Sequence, residues 1–475
     1  MKKILKISAF LIAVIITLSA TALQSNAAQV KGTLGDTNGD GKVNIVDATL
    51  IQKNIAKLRA LDDDSISRAR VCGYSRLSIL DATAIQRYLA GFTTDFPANA
   101  AEEEVSKVKD NITIYFTNNK KWDKVSARFL NRVSGESADA DLKNIKDNEN
   151  GEQVYSAEVD LSKYDRVIFG NGVVETTLTP VTKASSGFYI RSGGTDKKVL
   201  AGVYTHEIES VGNLDSVMMD YPDGYQKKVY IHTPAGYDPA DKSKKYSVLY
   251  MSDGHAIFGK TPSDFTSHEW RCDETVDSLV KNGGDGVIVV GVVTNGARRF
   301  NELTPKIAES ATGVPKEYYF EDMSLEGELF SDFIINTVIP YVEGNYNTNS
   351  IRGFAGSSNG GLEAFYIGLE HPDMFKYIGV LSPSFDFFDM KDWDKYLAGK
   401  DYSGKMPKIY ISNGNNERDF VEQTQYKSAS IMESHLTKAG FPDDKVVTVL
   451  DEEAMHSEDF WAIYFPEMLS WGLGI

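Results

Sequence analysis

Ser358 is the residue whose surroundings point most directly to chemistry. Gly356-Ser357-Ser358-Asn359-Gly360 fits G-x-S-x-G, and Ser358 alone fits the central position. The pattern predicts a nucleophile elbow: a strand stops, one residue turns sharply, and a helix leaves at once. The hydroxyl is then lifted clear of the sheet, where an imidazole reaches it. The backbone N–H of Asn359, at the helix start, can face a developing oxyanion. A pentapeptide this short recurs by chance, so its flanks matter. Arg352 to Ala355 is a short, mostly apolar lead-in. Leu362, Phe365, Tyr366 and Leu369 then fall at helical spacing, and His371-Pro372 ends the helix.

A base and an orienting acid must accompany such a serine, in the chain order Ser, acid, His. The acid is expected just past the strand Lys408 to Ser412, in Asn413-Gly414-Asn415-Asn416-Glu417-Arg418-Asp419, with Glu417 leading and Asp419 second. Of the seven histidines only His435 and His456 lie beyond. His435 falls in a helical stretch with Ile431 and Met432. His456 follows the last strand, in Ala454-Met455-His456-Ser457-Glu458, where a loop can carry the imidazole over Ser358. The second oxyanion donor is expected from Asp253-Gly254-His255, and we assign it to Gly254, although the residues do not distinguish the three amides.

The elements around these residues alternate between strand and helix from about Leu200. Tyr246 to Met251 and Val287 to Val293 are continuous apolar runs, as strands buried on both faces require. Val276, Leu279 and Val280 mark a helix between them, and Leu329, Phe333, Ile334, Val338 and Ile339 mark the helix before the elbow. Tyr377 to Leu381, Ile409 to Ser412 and Val446 to Leu450 supply later strands. This predicts a mostly parallel sheet with helices on both faces.

Earlier in the chain the organisation differs. Lys2, Lys3 and Lys6 precede an apolar run from Ile7 to Ala20, then Ser25-Asn26-Ala27, the pattern of a secretory signal peptide over residues 1–27. The run is shorter than a membrane span requires, so a secreted, extracellular chain with no membrane partner is expected. Asp36-Thr37-Asn38-Gly39-Asp40-Gly41-Lys42-Val43-Asn44-Ile45-Val46-Asp47 fits an EF-hand calcium loop, with Asp in place of Glu at the twelfth position. The side chains of Asp36, Asn38, Asp40 and Asp47, the Lys42 carbonyl, and Asn44 through water offer oxygens to one Ca2+. Asp47-Ala48-Thr49-Leu50-Ile51-Gln52-Lys53 recurs as Asp81-Ala82-Thr83-Ala84-Ile85-Gln86-Arg87. The second loop places Arg70, Cys72 and Tyr74 where ligands should be, so calcium is expected in the first loop only.

Residues 97–107 read as a linker. From Asn111 the period becomes two: Ile112, Ile114 and Phe116 alternate with Thr113, Tyr115 and Thr117. Short strands follow at Val154 to Val159 and Arg166 to Phe169, which predicts a small β-sandwich over residues 108–192. A net charge of −17 argues against a nucleic-acid partner. The two cysteines, Cys72 and Cys272, fall in different domains and suggest no disulfide framework.

Three resemblances follow. The duplicated loop-plus-helix unit, about Gly32 to Phe92 within a domain of residues 32–96, resembles a type I dockerin. That implies a small all-α unit and a cohesin module of a scaffoldin as partner, with Ile45, Val46, Ile79 and Leu80 at positions that often touch it; core packing is the other use for these four. Tyr115-Phe116-Thr117-Asn118-Asn119 with Trp122, and Tyr164 to Gly172, resemble family 26 starch-binding modules, which makes Tyr115 and Trp122 candidate sugar platforms. Val248-Leu249-Tyr250 with Asp253-Gly254, Arg299-Phe300-Asn301-Glu302-Leu303-Thr304-Pro305, the Ser358 elbow, Ser412-Asn413-Gly414 to Glu417, and His456 with Trp461 resemble the esterase D superfamily. This implies an α/β-hydrolase over residues 198–475. It also implies ester hydrolysis through an acyl-enzyme without a catalytic cofactor: Ser358 attacks, His456 is base then acid, and Glu417 orients it. The expectation is a secreted carbohydrate esterase, feruloyl or acetyl, acting on plant polysaccharide in a cellulosome-like complex. A non-catalytic carbohydrate-binding subunit and an enterochelin-esterase-like hydrolase or acyltransferase are the alternatives.

Overall fold

The computed structural model describes residues 34–55, 58–71, 77, 79–89, 111–203, 212–259, 268–294, 296, 298–311, 313, 324–415 and 420–475. The expected signal peptide and linker, Glu417, Asp419, Cys72, Tyr74 and the side chains of Ile79 and Leu80 lie outside them. Two compact units form: Met1–Val108 with Val133–Gly135, and Lys109–Arg132 with Glu136–Ile475.

The first unit contains helices α1 (Ile45–Ile55), α2 (Asp63–Ala69) and α3 (Ile79–Leu89). Ala48 and Ile51 of α1 and their repeat equivalents Ala82 and Ile85 of α3 share one core with Ala69 and Val71. The sequence duplication thus becomes two equivalent helices that bury the same face. Ahead of α1 the loop winds around its own carboxylates. Asp36 accepts from the amides of Gly39, Asp40 and Gly41, and Asp47 from those of Asn38 and Asn44. Ile45 and Val46 are 55% and 50% exposed, so they do not serve core packing.

The second unit starts with a β-rich module: β1 (Asn111–Thr117), β2 (Ser126–Leu130), β3 (Ser137–Asp139), β4 (Lys143–Asp147), β5 (Gln153–Asp160), β6 (Arg166–Gly170), β7 (Glu175–Thr176), β8 (Thr179–Pro180), β9 (Gly187–Gly194) and β10 (Lys198–Val203). They join in one sheet of order β3-β2-β6-β7-β10-β9-β1-β5-β4, with β8 on β6. The sheet doubles back, because Phe116 of β1 stacks on Phe169 of β6 at 4.3 Å although three strands separate them. Alternate residues of β1, β2, β5 and β6 fill the space between the layers.

Two expectations are corrected here. The boundary between modules does not fall between 192 and 198: β9 and β10 pair with each other and β10 pairs with β7, so the module runs to Val203. Tyr115 and Trp122 are not open sugar platforms either. Trp122 packs against the module core and stacks on Phe116. The Lys281 ammonium, from the following domain, lies over the Tyr115 ring at 5.5 Å.

The remaining strands, β11 (Asn213–Asp220), β12 (Gln226–Thr233), β13 (Tyr246–Met251), β14 (Val287–Val292), β15 (Thr348–Ser357), β16 (Tyr377–Leu381), β17 (Lys408–Gly414) and β18 (Val446–Asp451), form an eight-stranded sheet of order β11-β12-β14-β13-β15-β16-β17-β18. From β14 to β18 every pairing is parallel; β11 and β12 are antiparallel. One face packs a core that includes Phe330, Phe365, Trp393 and Leu436. The other packs Val276, Leu279, Phe465 and Met468, from α4 (Cys272–Lys281) and the C-terminal helix. Cys272 is a buried free thiol. Helices cover both faces, as the alternating pattern predicts, and the parallel strands deliver all their C-terminal ends to one edge.

Candidate active site

That edge is where backbone strain collects. Among the described residues five that are not glycine have positive φ, and three of them, Asp253, Ser358 and Ser382, stand just past adjacent strands β13, β15 and β16. Strain of this kind persists only where the surroundings enforce it, and it gathers at functional sites.

Ser358 has φ 58° and ψ −124°, between β15 and α5 (Asn359–Glu370). Its amide donates to Leu381 O at 3.0 Å, and its carbonyl accepts from Leu362 and Ser384 at 3.0 and 3.2 Å. These bonds hold the turn that G-x-S-x-G predicts. A Cβ on Gly360 would run into Ser252 Oγ, which explains the glycine after the elbow. The Asn359 side chain is pinned from two sides: its Nδ2 donates to Thr304 Oγ1 at 3.0 Å and its Oδ1 accepts from Ser384 Oγ at 3.1 Å. Its amide belongs to the first helical turn, where N–H groups have no intrahelical acceptor.

The loop after β13 packs against the elbow. Asp253 is buried and accepts from Thr294 Oγ1 at 2.6 Å and from Arg299 Nε and Nη2 at 2.7 and 2.8 Å. Burial works against its charge, but the Arg299 guanidinium and these bonds hold its carboxyl below the usual range. Arg299 Nη2 also reaches Ser357 O at 3.4 Å, so one side chain ties this loop to the residue before Ser358. Gly254 is corrected as an oxyanion donor. Its amide donates to Val292 O at 2.9 Å, and a Cβ there would strike Gly291, so the glycine serves close strand packing. The next amide, that of His255, makes no backbone bond among the described residues.

His456 lies between β18 and α6 (Glu458–Leu473). Its ring meets the Trp461 ring edge-on at 5.1 Å, and Trp461 Nε1 donates to Ser382 Oγ at 3.1 Å. Ser382 directly follows β16, the neighbour of β15. Through Trp461 the imidazole is thus linked to Ser382, the residue that follows the strand beside the elbow's own. His435, the other candidate, is used elsewhere: its Nδ1 is 2.6 Å from Asp394 Oδ1. Four residues without a role in the sequence reading support these turns: Thr294 and Arg299 bond to Asp253, Ser384 bonds to Asn359, and Ser252 abuts Gly360; of these only Arg299 lay in a run that had drawn attention.

Near α4, the ligand oxygens of Glu269, Asp273 and Glu274 all lie within 4.8 Å of one another. Burial first, and then Asp273, pushes Glu274 up. Burial pushes Glu269 up to about 7. A carboxyl raised above its ordinary value of 4.5 binds a proton more tightly in the folded state. Its stabilising effect is full below that value and is lost as pH rises through the folded value. The melting temperature is therefore expected to fall between about pH 5 and 8, and Glu274→Gln should flatten that slope. Thermal scans across this range check it, and an identical slope in the variant would refute it.

A family model described as "Putative esterase" matches residues 224–471. The chain is 24% identical over 253 residues to "Uncharacterized protein YbbA" of Bacillus subtilis, covering 52% of this chain and 93% of that one. It is 28% identical over 178 residues to the "Endo-1,4-beta-xylanase/feruloyl esterase" of Xylanibacter ruminicola, covering 37% of this chain and 20% of that protein. Among solved structures, an "IroE-like serine hydrolase" from Shewanella oneidensis superposes with a TM-score of 0.42 at 18% identity, over 54% of this chain and 78% of that one.

Proposed function

The chain belongs to the esterase family, and from that premise we propose that it is a secreted carbohydrate esterase that hydrolyses feruloyl or acetyl esters on plant polysaccharide. The observation that carries the reading is the strained turn at Ser358, followed by the pinned Asn359 at the start of a helix. Ser358 Oγ attacks the ester carbonyl carbon while His456 takes its proton. The tetrahedral oxyanion is met by the amides of Asn359 and His255. The intermediate collapses, the sugar hydroxyl leaves with the proton from His456, and an acyl-enzyme remains. Water then attacks in the same way, giving the free acid and restoring Ser358. Glu417 accepts the Nδ1–H of His456 and stabilises the imidazolium.

The polysaccharide assignment draws support from the relative named as a xylanase and feruloyl esterase, and from the N-terminal unit. We read that unit as a dockerin-like plug, its first loop holding one Ca2+ through Asp36, Asn38, Asp40, Lys42, Asn44 and Asp47, with Ile45 and Val46 toward a cohesin module. The ion would neutralise the loop's clustered carboxylates. The doubled-back module we read as a β-sandwich of carbohydrate-binding descent, used here for packing. Turnover of methyl ferulate, acetylated xylan and p-nitrophenyl acetate tests the function. Cleavage of methyl ferulate or acetylated xylan is expected. Cleavage of p-nitrophenyl acetate alone would remove the polysaccharide assignment, and cleavage of none of the three would remove the esterase mechanism.

A further inference from the structure

The segment that carries His456 is gripped on both sides by the β-rich module. Three residues before His456, Glu453 Oε1 lies 3.3 Å from Lys198 Nζ of β10. Three residues after it, Asp459 Oδ2 lies 2.7 Å from Arg191 Nη2 of β9. The first pair is exposed. The second is not: Arg191 and Asp459 are 14% and 18% exposed. The same guanidinium lies over the Phe460 ring, 4.7 Å from its centroid, and Asp459 also faces His268 Nδ1 at 3.2 Å. One arginine from the module thus holds two consecutive residues in the first turn of α6, directly after the His456 loop. Further along α6, Thr182 Oγ1 donates to Pro466 O, and Arg166 Nη2 pairs with Glu467 at 2.7 Å.

A base borne on a loop acts only if its ring is held within a fraction of an ångström of the productive position. On the domain's own side, His456 is braced by Trp461. On the other side the neighbouring chain belongs to the module. We infer that the β-rich module is a working part of the catalytic unit: Arg191 is a positioning residue that fixes the start of α6 and, through it, His456. The inference rests on the reading of His456 as the base. The module's packing against the hydrolase also brings Lys281 over the Tyr115 ring.

Arg166 supplies the control. Its pair with Glu467 is more buried, at 5% and 12% exposed, and lies along α6 away from His456. The test compares Arg191→Met, Arg191→Lys and Arg166→Met in the full chain, by p-nitrophenyl acetate kinetics, thermal melting and hydrogen exchange over residues 452–460. Arg191→Met is expected to lower kcat roughly ten- to hundredfold, the scale of a small misplacement of a reacting group, with KM within about twofold. Arg191→Lys should recover part of the loss, because the charge remains while the fork is lost. Arg166→Met should lower the melting temperature at least as much and leave kcat near that of the parent. If Arg191→Met does not fold, Asp459→Asn removes the same pair with less loss of volume.

Equal kcat losses at Arg191 and Arg166, or none at Arg191, would overturn the inference. Failure of the underlying reading looks different: the parent cleaves no ester, or His456→Ala keeps full turnover. Hydrogen exchange then decides alone. Faster exchange over 452–460 in Arg191→Met but not in Arg166→Met supports the clamp, and equal exchange removes it.

Discussion

Ser358→Ala is expected to lower kcat for ester hydrolysis by roughly four to six orders of magnitude, the scale seen when a nucleophile that works as a unit with its base is removed. The fold should not change. Alanine keeps the Cβ, and the bonds that hold φ at 58° run through the backbone of Ser358 to Leu381, Leu362 and Ser384. The strain stays in place and only the oxygen is lost. Ser358→Gly should be equally inactive and more stable, because glycine adopts this conformation without the roughly 1–3 kcal/mol that other residues store there. Kinetics with melting curves on both variants separate the cases. Turnover in Ser358→Ala within tenfold of the parent would remove Ser358 as nucleophile, and a glycine variant no more stable than the alanine variant would remove the strain argument. His456→Ala should cost nearly as much activity as Ser358→Ala. Glu417→Gln should cost less, since the orienting group transfers no proton itself. A larger loss in Asp419→Asn than in Glu417→Gln would move the acid to Asp419.

The elbow could be read from the sequence because everything that makes it is local. Strand, turn and helix are contiguous in Thr348 to Glu370, and the glycines announce the tight approach. Sheet type was legible for a similar reason, since apolar runs such as Val287 to Val292 leave no polar face for solvent. The place of His456 followed from chain order. What failed depended on geometry between distant segments. Whether the amide of Gly254 or of His255 is free turns on Asp253 sitting at φ 54° and on a strand pairing that consumes the Gly254 amide at Val292. An aromatic such as Tyr115 reads as a platform in one dimension, and only the approach of Lys281 shows that a face is covered. The end of the module was misplaced because Val199 to Val203 is a continuous run without a charged residue, like a hydrolase strand, while its partners, β7 and β9, lie upstream. The Arg191–Asp459 pair has no signal in composition or spacing at all.

The N-terminal unit is expected to bind one calcium ion and to lose its fold when the ion is withdrawn. Its core is small: among the described residues Ala48, Ile51, Ala69, Val71, Ala82 and Ile85 form the cluster and Leu50 is also buried, and a unit of this size rarely buries enough surface to be stable alone. Against that small gain stand Asp36, Asp40 and Asp47, three carboxylates wound into one loop. Their amide bonds offset part of the repulsion, and a cation offsets the rest. At a calcium concentration a hundredfold above Kd, binding adds about 2.7 kcal/mol to the folded state, a large share of what a unit this small can have. The second loop should add nothing. Its twelfth position, Asp81, is buried, but its first is Arg70, which brings positive charge where the ion would sit. Calorimetric titration of the chelated full chain should therefore give one ion, and Asp47→Ala should abolish that heat. Limited proteolysis should cut within residues 45–89 of the chelated chain and spare the calcium-loaded one. Two ions per chain, with one surviving in Asp47→Ala, would show that the second loop binds after all. No heat in the parent would remove calcium from the first loop, and with it the dockerin reading of the unit.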